Sequence, residues 1–285
     1  MRDYVNKKYF KKFLGLIIFL LFFSFYTYPY QIKDTTSNRP NANNFELEVG
    51  EELVYNVSYV FINLGQIRLK VLDKITTEEK VTYKTIAYMD SYRGIPFIDL
   101  HEIYESTLNQ NIFSYKFRAR SKTRSGTQYV IYDFDYPNRK AYFEHGKLDS
   151  VKIIEKYDTL NLKGYCQDGL SLFYFSRQNL YSGGSVNIPT VVNEKLSNTT
   201  INFYNKRTSV NIDAIKYPVD VIEFDGRADF EGIYGFKGIF EGWFSNDEAR
   251  IPILAKMEVI IGKVRIELMS WKKKNWIPPR AKAQN

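Results

Sequence analysis

The sequence predicts a mainly β protein: a large curved antiparallel sheet or partly closed β-barrel with one central α-helix, preceded by an N-terminal hydrophobic signal or anchor helix. Three observations predict it. Tyr and Phe supply 23 and 21 of the 285 residues, an aromatic excess that suits pleated, half-buried surfaces better than helical bundles. Short aromatic and β-branched runs bounded by Gly, Asn, Asp or Pro recur along the body, the pattern of an antiparallel meander. One stretch of that body carries helical spacing, and Gly183-Gly184 ends it like a helix stop.

At the N-terminus, Lys7, Lys8, Lys11 and Lys12 precede the apolar run 13–25, the charged and apolar regions of a secretory signal. Phe25, Tyr26 and Tyr28 put rings where a signal peptidase takes small side chains, and no cysteine follows to carry a lipid. Uncut, residues 13–30 approach the length that spans a bilayer, with the lysines holding the N-terminus in the cytoplasm. The expectation is an exported protein of the periplasm or cell envelope. Residues 1–30 are its signal peptide or inner-membrane anchor, and the polar residues 31–44 its spacer.

Residues 45–271 read as a single β-rich domain. Residues 52–60 and 66–72 form a first hairpin about Ile62-Asn63-Leu64-Gly65, and strands follow at 81–88, 98–107, 112–122, 128–134 and 140–144. Residues 158–181 break the rhythm, because Leu170, Phe173, Tyr174 and Arg177 fall at helical spacing. Asp168 stands where a capping carboxylate satisfies free backbone N–H groups. Strands resume at 185–192, 199–206, 208–215, 219–224 and 236–244, and residues 242–271 close the domain as a hairpin that reverses at Gly262-Lys263. The basic tail, residues 272–285, contains Pro278-Pro279 and is expected to be mobile or laid over a surface. With Trp271 and Trp276 it suits anionic lipid headgroups.

The net charge of +8 is carried by the ends. Arg2 and four lysines against Asp3 leave residues 1–30 at +4, Lys272, Lys273, Lys274, Arg280 and Lys282 put the tail at +5, and the body is left at −1. A near-neutral body lacks the clustered basic face that nucleic acid demands, so no nucleic-acid partner is expected. Cys166 is the sole cysteine, which excludes an internal disulfide and a multi-thiolate zinc site. His101 and His145 lie in different strands, and His101 and Glu102, as neighbours on a strand, face opposite sides, so no metal is expected. Ser171 with His101 and Asp168 lacks the second glycine of a nucleophile elbow. There is no phosphate-binding glycine loop or dinucleotide fingerprint, and no cofactor is expected.

Three separated stretches resemble one family. Val49-Gly50-Glu51-Glu52-Leu53-Val54-Tyr55 with Leu64-Gly65 resembles its GE-x-L-x-Y opening and aliphatic-Gly step. Asp168-Gly169-Leu170-Ser171 with Tyr174 and Arg177 resembles its D-x-L-S…Y…R helix. Trp243-Phe244-Ser245-Asn246-Asp247-Glu248-Ala249-Arg250-Ile251-Pro252 resembles its WLS-x-D-x-x-RIP turn, with Phe244 in place of an aliphatic residue. The family is DUF3108, uncharacterised bacterial exported or envelope proteins. The resemblance implies an envelope protein of antiparallel β structure and carries no activity across. Asp168, Ser171, Arg177, Trp243, Ser245, Asp247, Arg250 and Pro252 are accordingly read as a structural motif that fixes fold and register, with Arg250 pairing Asp247 or another carboxylate.

The leading functional expectation is a non-enzymatic exported protein that offers an aromatic-lined concavity to an apolar or amphipathic ligand, a lipid or another envelope component. The membrane is its expected partner, through the N-terminal segment. The alternative is a hydrolase acting on an envelope polymer through Asp225, Asp229 or Glu231, which predicts that one of them converges with another carboxylate in an open cleft.

Overall fold

The sheet is built outward from the pairing of the domain's first and last strands. β1 (Glu52–Tyr59) pairs antiparallel with β14 (Lys263–Lys272), setting Tyr55 opposite Leu268 and Val57 opposite Ile266. The computed structural model describes residues 45–78, 80–95, 98–123, 126–231, 237–259 and 262–282. The signal or anchor and the spacer expected at residues 1–44 lie outside them.

Two antiparallel meanders extend from this central pair. On the β1 side follow β2 (Ile62–Thr76), β3 (Val81–Ser91), β4 (His101–Asn109), β5 (Ser114–Thr123), β6 (Gly126–Asp135), β7 (Lys140–Leu148) and β8 (Lys152–Asn161). On the β14 side, in reverse chain order, lie β13 (Pro252–Glu258), β12 (Lys237–Ser245), β11 (Ile215–Glu231), β10 (Lys195–Ile212) and β9 (Gly184–Val192). The result is one sheet of 14 strands that does not close, because β8 and β9 are its two edges. Its one helix among the described residues, α1 (Ser171–Gln178), lies in the connection between those edges. No helix among the described residues is long and apolar enough to cross a membrane.

Both meanders and the helix share one hydrophobic core. Leu53, Tyr55, Tyr83, Phe117 and Phe143 from one arm join Ile201, Phe203, Phe224, Phe244 and Ile253 from the other around Tyr174 and Phe175 of α1. Gly242 is required within it: a Cβ there would stand 2.4 Å from Phe224, whose ring packs at 4.6 Å from that of Phe244. Across the open seam, the Asn193-Glu194 turn between β9 and β10 reaches the opposite arm. The Glu194 N–H donates to Tyr132 Oη at 3.0 Å, and its carboxylate holds His145 and, at 2.9 Å, Lys156.

Several expectations are corrected. The helical break at 158–181 shrinks to Ser171–Gln178, and a strand, β8, occupies 152–161. β8 is exposed on both faces, so it shows no alternation for the sequence to display. The first hairpin turns at Val60-Phe61, and Ile62 already belongs to β2. Residues 199–206 and 208–212 are one strand, β10, with a bulge between Phe203 and Lys206. Of the two alternatives for the tail, the described residues show the second, laid over a surface: Arg280 bridges Val219, the Asp220 N–H donates to the Pro279 carbonyl at 2.8 Å, and Tyr217 Oη donates to the Pro278 carbonyl at 2.8 Å.

Candidate functional site

The expected motif residues gather at the end of the sheet where α1 meets β1 and the β12–β13 turn. At the helix start, Asp168 and Ser171 cap each other: the Asp168 N–H donates to Ser171 Oγ and the Ser171 N–H to Asp168 Oδ1, both at 2.7 Å. The Leu170 N–H adds a third bond at 2.7 Å, so the carboxylate satisfies the helix entrance from two residues before it. The same carboxylate accepts hydroxyls from Ser106 of β4 and Ser114 of β5, tying α1 to the β1 arm. Asp168 is fully buried, and that burial pushes its carboxyl above the usual range against the pull of these hydrogen bonds.

At the helix end two arginines interlock. Arg177 makes a bidentate pair with Glu51, Nη1 to Oε1 at 2.6 Å and Nη2 to Oε2 at 3.0 Å, and also donates to the carbonyls of Ala249 and Arg250. Arg250 returns the contact, donating to the Gln178 carbonyl at 2.6 Å and the Arg177 carbonyl at 3.3 Å, where the helix dipole favours a cation. Both guanidinium groups lie over the Phe45 ring, at 5.3 and 5.2 Å. Both arginines are 1% exposed. Burial works against charge at Glu51 and Arg177, but their mutual attraction, with Lys273 beside Glu51 at 3.0 Å, outweighs it. The carboxyl is held below its usual range and the Arg177 guanidinium above its own.

The β12–β13 turn is shaped to present these groups. Ser245 Oγ accepts the Ile251 N–H and donates to Asp247 Oδ1, which also accepts the Arg250 N–H. Asp247 Oδ2 accepts the Trp276 indole N–H at 2.8 Å, pinning the tail. Arg250 is held at φ +48°, a left-handed conformation that a non-glycine residue keeps only where its surroundings over-determine it. Pro252 accepts from Tyr55 Oη at 3.1 Å, and Lys256 lies over the Trp243 ring at 4.9 Å. Of the Arg250 contacts described, the guanidinium donates to the helix carbonyls and the backbone N–H to Asp247. The Glu51 partner of Arg177 lies 126 residues away, beyond what spacing within either motif stretch can indicate.

The remaining candidates do not converge with these. His101 is exposed and pairs Asp90 at 2.8 Å, far from any arrangement with Ser171. Cys166 is fully buried, and burial pushes its thiol up to about 11. Among the described residues no three His, Cys, Asp or Glu side chains are grouped to hold a metal. Asp229 pairs Arg227 at 3.3 Å, and the Glu231 side chain lies outside the described residues. Asp225 faces Glu241 directly across β11 and β12, in an open groove of about 300 Å3 that Asn202, Lys256 and Lys263 also line. A second open groove, about 460 Å3, is lined by Glu48, Val49, Gly50, Trp271 and Lys272–Lys274.

The fold, one open antiparallel sheet with a helix packed into its core, is shared by the crystal structure of a β-barrel-like protein of domain of unknown function DUF1849 from Brucella abortus. It aligns with TM-score 0.52 at 13% identity, covering 80% of this chain and 99% of that one. A protein of YmcC-like fold from Bacteroides fragilis aligns more loosely, with TM-score 0.34 at 7% identity over 80% of this chain and 98% of that one. No curated protein matches the sequence. The chain belongs to the DUF3108 family, proteins of unknown function, whose model matches residues 54–269.

Proposed function

We propose that the protein is an exported, membrane-tethered, non-catalytic module of the cell envelope that works through its outer surface, with anionic lipid headgroups at its basic end. The observation that supports this reading is where the described grooves lie: α1 packs Tyr174 and Phe175 into the aromatic core, and both described grooves are open ones. The larger of the two described grooves lies beside Trp271 and Lys272–Lys274. Lys273 is committed to Glu48 and Glu51, whereas Lys272, Lys274 and Lys282 are exposed. A signal or anchor segment on the same chain keeps this surface near a bilayer at high effective concentration. Native mass spectrometry of the membrane-extracted full chain tests it. Wild type is expected to carry anionic phospholipid, and a triple variant, Lys272→Glu, Lys274→Glu, Lys282→Glu, to lose it. Identical lipid content in both would refute the reading.

The facing of Asp225 and Glu241 favours a second reading, hydrolysis of an envelope polymer. Against it, both carboxylates already have partners: Asn202 and Tyr204 donate to Asp225 at 2.7 and 2.8 Å, and Lys263 sits 3.2 Å from Glu241. Fragment release from isolated cell-wall polymer that disappears in both Asp225→Asn and Glu241→Gln would restore it.

A further inference from the structure

The two edges of the sheet are finished differently. β9 contains Pro189, which has no N–H to offer, and its outer side is bridged by the segment before α1. The Gln167 N–H donates to the Pro189 carbonyl at 2.9 Å, and the Val191 N–H to that of Gln167 at 2.8 Å. β8 has no comparable cover among the described residues. Every residue of it except Leu160 is exposed, including Ile153, Ile154 and Tyr157 at 51%, 55% and 63%. Its two lysines, the usual guards of an edge strand, are drawn back onto the protein: Lys152 lies 2.6 Å from Glu144 and Lys156 2.9 Å from Glu194. A ten-residue exposed edge without proline or glycine, carrying Ile153, Ile154 and Tyr157 among its charges, is a template for another strand.

We propose that β8 is an interaction surface for a second copy of this chain, pairing antiparallel with its counterpart about a two-fold axis through Tyr157. Residues directly opposite each other in a sheet share a face, so an axis perpendicular to the sheet sets one residue against itself. An axis at Glu155, Lys156 or Asp158 opposes like charges, which destabilises a strand pair. At Tyr157 the axis brings two aromatic rings together on one face and sets Lys156 opposite Asp158 on both sides. The edge is therefore self-complementary in charge at the one uncharged position of its centre, and the pairing satisfies backbone groups that the sheet of a single copy leaves at its boundary. Charge matching at that position makes a copy of the same strand a better fit than an unrelated peptide.

Cysteine cross-linking in the full chain, in its membrane, tests the axis. Cys166 is fully buried with a raised thiol pKa, so it stays silent near neutral pH. With a mild oxidant or a short bismaleimide, Tyr157→Cys is expected to shift to twice the mass of the chain. Thr159→Cys is expected to stay at the mass of one chain, because the two copies of that residue lie four positions apart along the strands, roughly 13 Å. Equal cross-linking at both positions, no cross-linking at Tyr157→Cys, or a product joined to a different protein overturns the proposal.

Discussion

The clasp around α1 and the edge strand β8 use the same kinds of residues to opposite ends. At the clasp, Glu51, Arg177 and Arg250 are stripped of water, and their side chains join distant segments: Glu51 to Arg177 across 126 residues, Arg177 to Ala249 across 72 and Glu51 to Lys273 across 222. At β8, Lys152, Lys156 and Asp158 stay wet, the two lysines pair Glu144 of the neighbouring strand and Glu194 across the seam, and among the described residues the strand itself has a neighbour on one side only. Buried charge locks a unique arrangement because losing one partner strands the other in a medium that cannot solvate it. Exposed charge adds little to stability and leaves the edge available. The clasp therefore looks after the fold, and β8 after association.

The sharpest way to break this contrast is Arg177→Met. It leaves Glu51 buried beside Lys273 alone and uncaps the carbonyls of Ala249 and Arg250, so a loss of about 3–5 kcal/mol is expected in chemical denaturation. A loss below about 1 kcal/mol would show that the clasp is not a stability element. Next in size is a pH effect. The Glu51 carboxyl is held below its usual range in the fold, so its contribution is complete above the unfolded value of about 4.3 and is lost as pH falls through the folded value. Asp168, raised by burial, acts with the opposite sign: its ionisation lowers stability as pH rises from about 3.9 through its folded value. Glu51→Gln should therefore flatten the acid limb of the stability curve while lowering stability at neutral pH; an unchanged acid limb would assign that limb to other carboxylates. The smallest effect is expected at the edge, where Tyr157→Lys should change unfolding stability by no more than about 0.5 kcal/mol.

Much of this architecture is legible from residue pattern. The apolar residues at alternate positions, Ile253, Met257, Val264, Ile266 and Leu268, identify β13 and β14 in the sequence, although burial in the folded strands does not follow that alternation: Leu254 and Glu267 are buried as well. Leu170, Phe173, Tyr174 and Arg177 locate α1, although not its length. β8 escapes because a strand wet on both faces carries no period, and its charged residues blur into the helical stretch that follows. At the clasp, the turn chemistry of Ser245, Asp247 and Pro252 can be read from SNDEARIP, because bonds from these side chains to one another and to backbone N–H groups over two to six residues are local. The destination of Arg250 cannot, since it depends on which helix end the folded chain brings to it.

Local order decided what local physics can decide: a β-rich domain, one helix with its reciprocal Asp168 and Ser171 cap, a self-contained turn, and charge collected at the chain ends. Tertiary structure alone decided that the first and last strands pair, that Glu51 meets Arg177 across 126 residues, that α1 packs into the core of both arms, and that among the described residues β8 is left bare while β9 is covered. The reason is physical. Periodicity and capping act over a few residues, whereas the partner of a buried charge and the exposure of an edge are properties of how distant segments share space.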